Sequence, residues 1–175
     1  MPRYHLLLVA LAFLSLPACL SGPDKAESYY RRGAAYYSGE GSAQDYAEAL
    51  RWFRKAAEQD HPQAQSWIGV IYYEGRGVPQ DHAEAAKWFA KAAEQGVPTA
   101  QNNLGFMYMM GEGVEQDYVR AYVWLSLAAT FGVEQSYSLR RQVAARMTTA
   151  QLEEAREEVE RRTGKSQEPL SGKDP

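Results

Sequence analysis

The stretch Ile68-Gly69-Val70-Ile71-Tyr72-Tyr73-Glu74-Gly75-Arg76-Gly77-Val78-Pro79-Gln80-Asp81 decides the fold, because its pattern of Gly, Tyr, Gln and Asp occurs three times. Stepping 36 residues in either direction brings Gly69 onto Gly33 and Gly105, Gly75 onto Gly39 and Gly111, and Gly77 onto Gly41 and Gly113. Asp45, Asp81 and Asp117 keep the step, as do Trp52, Trp88 and Trp124 and the Ala-Ala pairs at 56–57, 92–93 and 128–129. Agreement at so many positions in one register means three copies of one structural unit. A repeat array is quasi-one-dimensional and is commonly used as an extended surface for gripping a partner.

Within the unit the apolar residues fall at helical spacing. Pro62 suits a first helical position, where a missing N–H costs nothing. Ala64, Ile68, Ile71 and Tyr72 follow on one face. Gly75 and Gly77 then end the helix and turn the chain. Asp81 reads as the N-cap of a second helix, with Glu84 completing a capping-box-like pair, and Asp45 with Glu48 reads likewise. Asp117 keeps the cap, but residue 120 is Arg. The second helix carries Ala85, Trp88, Phe89, Ala92 and Ala93 as an apolar stripe. Its alanines let a neighbouring helix approach, with Trp filling the gap beside them. Gly96 and Gly132 end two of these helices; Asp60 stands in that place in the first unit. Gly33, Gly69 and Gly105 lie inside first helices, where each costs about 1 kcal/mol relative to Ala. A close helix contact is the expected reason.

First helices are therefore expected near 26–37, 62–73 and 98–109, and second helices near 45–59, 81–95 and 117–131. Residues 135–147 read as a further helix with Leu139, Val143 and Met147. Thr148 to Gln151 reads as a capping box that opens a last helix through Leu152, Ala155 and Val159. The expected organisation is repeats at 26–61, 62–97 and 98–133, capping helices at 134–163, and a disordered tail at 164–175 with almost nothing apolar. The fold class is all-α: an α/α solenoid of about three repeats closed by a C-terminal helix pair.

Composition narrows the function. A net charge of −3 over 175 residues, with no block of Lys or Arg, gives no electrostatic case for nucleic acid. The chain is 12% aromatic, and most of its aromatics sit in the repeat register, where packing is the first expectation. His61 and His82 fall in different junctions without partners at ligand spacing. No nucleophile motif or phosphate loop is present, and Glu153, Glu154, Glu157 and Glu158 read as a solvated helix face. No catalytic residue, metal or cofactor is expected.

The N-terminus carries a separate signal. Arg3 precedes an apolar run, Leu6 to Leu16, broken only by Ser15 and too short for a permanent membrane span. Leu16-Pro17-Ala18-Cys19 comes next, and Cys19 is the sole cysteine. This resembles the bacterial lipobox, with Pro17 departing from the usual residue at its place. The resemblance implies a signal peptide over 1–18, lipidation of Cys19 as the first mature residue, and a tether over 19–25. Leu20 follows the cysteine instead of the Asp that marks inner-membrane retention in enteric bacteria. The expected location is the periplasm, anchored to a membrane, most naturally the outer one. A soluble periplasmic or secreted protein is the alternative.

The repeats themselves resemble the Sel-one-like repeat family. Ile68-Gly69-x-x-Tyr72-x-x-Gly75-x-Gly77-Val78 and Lys91-Ala92-Ala93-Glu94-Gln95-Gly96 match its unit, as do Leu104-Gly105-x-x-Tyr108 and Gly111-x-Gly113-Val114. Arg32 and Ser42 depart from it in the first repeat. The resemblance covers about residues 26 to 135 and implies a tetratricopeptide-like solenoid that serves as a non-catalytic protein-interaction scaffold. A cysteine-rich branch of the family implies the rival reading, a binder of peptidoglycan fragments or β-lactam-like compounds or a weak hydrolase; this chain lacks that branch's repeating cysteines. In the related architecture, first helices line the concave face. That places Tyr30, Ala34 and Tyr37, then Ser66, Val70, Tyr73 and Glu74, then Asn102, Phe106, Met109 and Met110 toward a groove for a peptide or helix, with Gln142 and Arg146 extending it. Trp67, matched by Arg31 and Asn103, is expected to be a local packing plug. The scaffold is expected to be a monomer.

Overall fold

A computed structural model describes residues 23–41 and 43–164. The segment expected to be a signal peptide, Cys19, and the expected tail after Gly164 lie outside the described residues. Those described form eight helices and no strand: α1 Pro23–Ser38, α2 Tyr46–Ala57, α3 Pro62–Glu74, α4 His82–Glu94, α5 Pro98–Met110, α6 Tyr118–Thr130, α7 Glu134–Ala144 and α8 Thr149–Thr163. Consecutive helices pack against one another through α7, α8 returns onto α6, and α3 meets α5 and α5 meets α7 across the stack. The architecture is an all-α solenoid of three helix pairs closed by α7 and α8. α1 begins at Pro23, so the end of the expected tether is helix. Gly164, expected in the tail, is the left-handed cap of α8, with φ 65°.

The interior glycines are contact points, as their helical setting implies. A Cβ on Gly33 or Gly69 would stand 2.7 Å from the ring of Phe53 or Phe89, and one on Gly105 would stand 2.7 Å from Leu125 Cγ. The residue filling the gap is thus Phe or Leu, and not the adjacent Trp that the sequence suggested. Phe53, Phe89 and Leu125 are fully buried, whereas Trp52 and Trp88 are only half-buried. The reason is rotational: one residue further along a helix turns about 100°, and only one of the two neighbours can face the partner helix squarely.

Asp45, Asp81 and Asp117 cap α2, α4 and α6, each accepting from the backbone N–H three residues on at 2.9 Å. The reciprocal half expected of Glu48 and Glu84 goes elsewhere. Each cap's own N–H donates to a first-helix carbonyl, of Tyr36, Tyr72 or Tyr108. Glu48 and Glu84 instead accept from the indole N–H of Trp52 and Trp88, both at 2.9 Å. One hydrogen bond so pins each second helix to its first, and a carboxylate satisfies the half-buried indole. Gln44, Gln80 and Gln116 repeat the tie, donating to the carbonyls of Tyr37, Tyr73 and Met109 at 2.7, 2.6 and 2.8 Å. The box at Thr148 and Gln151 forms in full.

Repeat meets repeat at the second glycine of each turn. A Cβ on Gly77 would lie 2.8 Å from the backbone nitrogen of Ala47, and one on Gly113 would lie 2.3 Å from the carbonyl of His82. Gly41, in the first of the described repeats, has nothing within 4 Å. Each turn therefore rests on the N-terminus of the preceding second helix, which fixes the stacking. Asp60, where the other repeats carry Gly, keeps the left-handed backbone at φ 57°. Asp is among the few non-glycine residues that adopt it with little penalty.

Candidate partner groove

The first helix of each pair, together with α7, lines a groove of about 640 Å³. Tyr30 and Tyr37 come from α1; Gln63, Ser66, Trp67, Val70 and Glu74 from α3; Asn102 and Asn103 from α5; and Gln135 from α7. A smaller hollow of about 230 Å³ continues it past Val70, Tyr73, Glu74 and Phe106. The register explains the alignment. Positions 63, 66, 67, 70, 73 and 74 fall on one stripe of α3. Stacking of α1, α3, α5 and α7 then places the corresponding stripes side by side.

Of the residues expected in the groove, Tyr30, Tyr37, Ser66, Val70, Tyr73, Glu74, Asn102 and Phe106 line these two hollows. Ser66 and Asn102 are nearly buried at its floor, and the Asn102 side-chain oxygen accepts from Ser136 Oγ at 2.7 Å. Met109 does not join them: it is 4% exposed and belongs to the same buried cluster as Leu139 and Val143. Its counterparts Tyr37 and Tyr73 each reach the turn of the next repeat, whereas α7 and α8 succeed repeat three in place of another glycine turn. Met110 is exposed, and Gln142 and Arg146 are exposed on and beyond the end of α7, away from the lining. Trp67, Asn103, Gln63 and Gln135 were missing from the expected set. A signal existed: positions two and six before each helix glycine share the stripe. Trp67 both packs and lines. It stacks on Phe53 with ring centroids 6.1 Å apart and lies 4.5 Å from Tyr37.

Glu74 is the one charged residue among those lining the two hollows. Arg76 pairs with it at 2.6 Å, donates to the Tyr37 hydroxyl at 3.0 Å and lies over the Tyr37 ring. Burial, then the Glu74 charge, pushes the Tyr37 phenol up. Tyr73 donates to Glu112 Oε2 at 2.7 Å. Burial, then that hydrogen bond, raises its pKa to about 12. Because that pKa lies above the unfolded value near 10, the protonated phenol contributes stability below pH ~10 that is lost as pH rises toward 12. Tyr73→Phe should therefore flatten the fall of melting temperature above pH ~10, and one phenolate absorbance step near pH 12 should vanish.

His61 and His82 both pack against tyrosine rings. His61 Nδ1 accepts the Ala64 N–H as the α3 N-cap, its Nε2 meets Glu27 at 3.1 Å, and its ring stacks on Tyr30. His82 stacks on Tyr73 with centroids 4.8 Å apart. Among the described residues no group of three His, Cys, Asp or Glu is placed to hold a metal ion, and no helix is long and apolar enough to cross a membrane.

A family model for the Sel1 repeat matches residues 26–61, 62–97 and 98–130, more than half of the chain. The chain belongs to the Sel1-repeat family. Sel1-repeat proteins generally act as protein-interaction scaffolds and are typically non-catalytic. Among solved structures, this Sel1-repeat chain is similar to a protective antigen present in uropathogenic Escherichia coli strains that displays an SLR fold. The two are 48% identical with a TM-score of 0.62, over 63% of this chain and 24% of that one. It is also similar to a Sel1 repeat protein from Oxalobacter formigenes, at 32% identity and a TM-score of 0.64, over 69% of this chain and 51% of that one. This chain thus spans about a quarter and about half of those two. Helicobacter pylori cysteine rich protein B, at 22% identity and a TM-score of 0.54 over 66% of this chain and 92% of that one, shares the fold. No curated protein matches the chain.

Proposed function

We propose that this Sel1-repeat protein is a non-catalytic scaffold of the bacterial cell envelope that holds a peptide or helix of a protein partner along its first-helix groove. The observation that carries the reading is the lining itself. Tyr30, Tyr37, Trp67, Val70, Tyr73 and Phe106 present apolar and aromatic surface, and the carboxamides of Gln63, Asn103 and Gln135 lie among them. Aromatic rings offer large contact area with few polar demands, and carboxamides can pair with a peptide main chain. The groove is open and its lining comes from α1, α3, α5 and α7, which suits a chain segment better than a small molecule.

Asn103 is half-buried on the groove wall and lies outside the buried core, so it can be enlarged without disturbing that core. Asn103→Arg should leave helical circular dichroism and melting temperature close to wild type and weaken partner binding about tenfold or more, the loss expected when a contact in a binding site is replaced by a clash. A fully folded variant with unchanged affinity would put the site elsewhere.

The envelope assignment rests on Arg3, the run Leu6 to Leu16 and the Leu16-Pro17-Ala18-Cys19 sequence. Lipidated Cys19 anchors the scaffold to a membrane; bacterial lipoprotein chemistry supplies several acyl chains, and stable anchoring needs more than one. Full-length protein should fractionate with membranes and carry acyl mass on residue 19, while Cys19→Ser should lose both. A soluble wild-type product without added mass would remove the anchor and leave the groove untouched.

A further inference from the structure

Repeat one departs from its copies on one face of α1. Ile68 and Leu104 are 0% and 1% exposed, but the residue in their register in repeat one is Arg32, and it is exposed. Gln65 and Gln101 are buried, whereas Tyr29 in their register is half-buried. α1 thus turns outward a face that α3 and α5 bury. Lys25, Tyr29 and Arg32 share it at i, i+4 and i+7.

This face is aromatic and cationic. The Tyr29 and Trp52 ring centroids lie 5.6 Å apart, which joins α1 to α2. Lys55 Nζ stands over both rings, 4.0 Å from the Trp52 centroid and 5.9 Å from that of Tyr29. Arg32 lies over Trp52 at 4.1 Å and Lys25 over Tyr29 at 5.7 Å. Three cations therefore share two rings, and none of them meets a carboxylate among the described residues. Glu27 is taken by Arg31 and His61, and Glu48 by Arg51 and the Trp52 indole. The chain as a whole has a net charge of −3, so the positive sign belongs to this face and not to the molecule.

Position and chemistry together select the occupant. Only residues 20–22 separate Cys19 from Pro23, where α1 begins. Four residues of chain reach at most about 14 Å. A lipidated Cys19 therefore holds the start of α1 close to the headgroups. Tyr and Trp settle at the level of the headgroups, and Lys and Arg meet their phosphates. We propose that the face formed by Lys25, Tyr29, Arg32, Trp52 and Lys55 lies on an anionic phospholipid surface, with α1 along the membrane, and holds the anchored solenoid in one orientation. The proposal rests on the lipid-anchored reading of Cys19 and is independent of what the groove binds.

The test needs no acyl chain. Full-length Cys19→Ser protein is floated with vesicles of phosphatidylcholine, either alone or mixed with phosphatidylglycerol in equal parts. Binding contributed by residues 1–18 is common to every variant, so the difference between variants is the reading. Added to this parent, Arg32→Gln with Lys55→Gln should weaken binding to the anionic vesicles about tenfold or more, as expected for two cations removed from an anionic surface. Binding to neutral vesicles and helical circular dichroism should stay unchanged. Lys87→Gln with Arg120→Gln makes the same charge change at exposed side chains of α4 and α6 and should weaken binding far less. No preference of the parent for anionic vesicles, or equal losses from the two pairs, would overturn the proposal. Polyglutamate bound by the parent when anionic vesicles are not would also overturn it and give the face to an acidic protein segment. Failure here leaves the anchor standing, and failure of the anchor shows separately as absent acyl mass on residue 19.

Discussion

Gly113→Ala should unfold the C-terminal half of the solenoid or come close to it. Two costs add. The backbone at Gly113 has φ +69°, and a side chain held in the left-handed region costs about 1–2 kcal/mol. The new Cβ would also lie 2.3 Å from the carbonyl carbon and oxygen of His82. Those atoms belong to the first turn of α4, whose cap at Asp81 is bonded on both sides, so they cannot yield without moving the helix. Overpacking of this kind costs about 1–3 kcal/mol, and more against backbone. The sum, about 3 kcal/mol or more, is a large part of the stability of a domain this size. Gly41→Ala is the matched comparison. Its φ of +76° carries the same backbone cost, but nothing stands within 4 Å. Urea unfolding should show a loss of about 3 kcal/mol or more for Gly113→Ala and only about 1–2 kcal/mol for Gly41→Ala. Similar losses for the two would mean that the turns do not lock the repeats together.

Phe89→Ala should be the most costly truncation in the central repeat, by about 3–5 kcal/mol. Phe89 is 1% exposed and its ring covers Gly69 on the facing helix. Truncating it leaves a cavity between α3 and α4 that neither helix can close, because repeats press on both from either side. Gly69→Ala should also destabilise when made alone, since its Cβ would meet the ring at 2.7 Å. Made together, the two changes should cost less than their sum, because the added methyl enters space the ring has left. Strict additivity in a double-mutant cycle would deny that the two residues are in contact. Trp88→Ala should cost less than Phe89→Ala, as its indole is half-buried and already satisfied by Glu84.

The helix pairs were legible in the sequence because each device that sets them acts locally: Pro62 and Pro98 at first positions, Asp45, Asp81 and Asp117 as caps, Gly75 and Gly111 as left-handed ends. The helix-interior glycines also gave away a close approach, since nothing local justifies their cost. What they approached was not legible. Phe89 and Trp88 are neighbours of similar character, and only packing decides which one turns inward. Glu48 and Glu84 fit a capping box by spacing, but a tyrosine carbonyl from another helix had already taken the N–H they would have met. The groove was legible where one repeat copies another, as at Tyr37 and Tyr73. It was lost at Met109, where the array ends and α7 and α8 take the place of a fourth repeat.

The partner is expected to sit across the first helices. Site-specific photocrosslinking in cells tests it most directly, with a benzophenone side chain placed at Asn103 in the groove and, separately, at Lys87 on the outer side of α4. Asn103 should give a discrete adduct with an envelope protein, lost when Phe106 is replaced by Ser, and Lys87 should give none. Adducts from Lys87 with none from Asn103 would contradict the account.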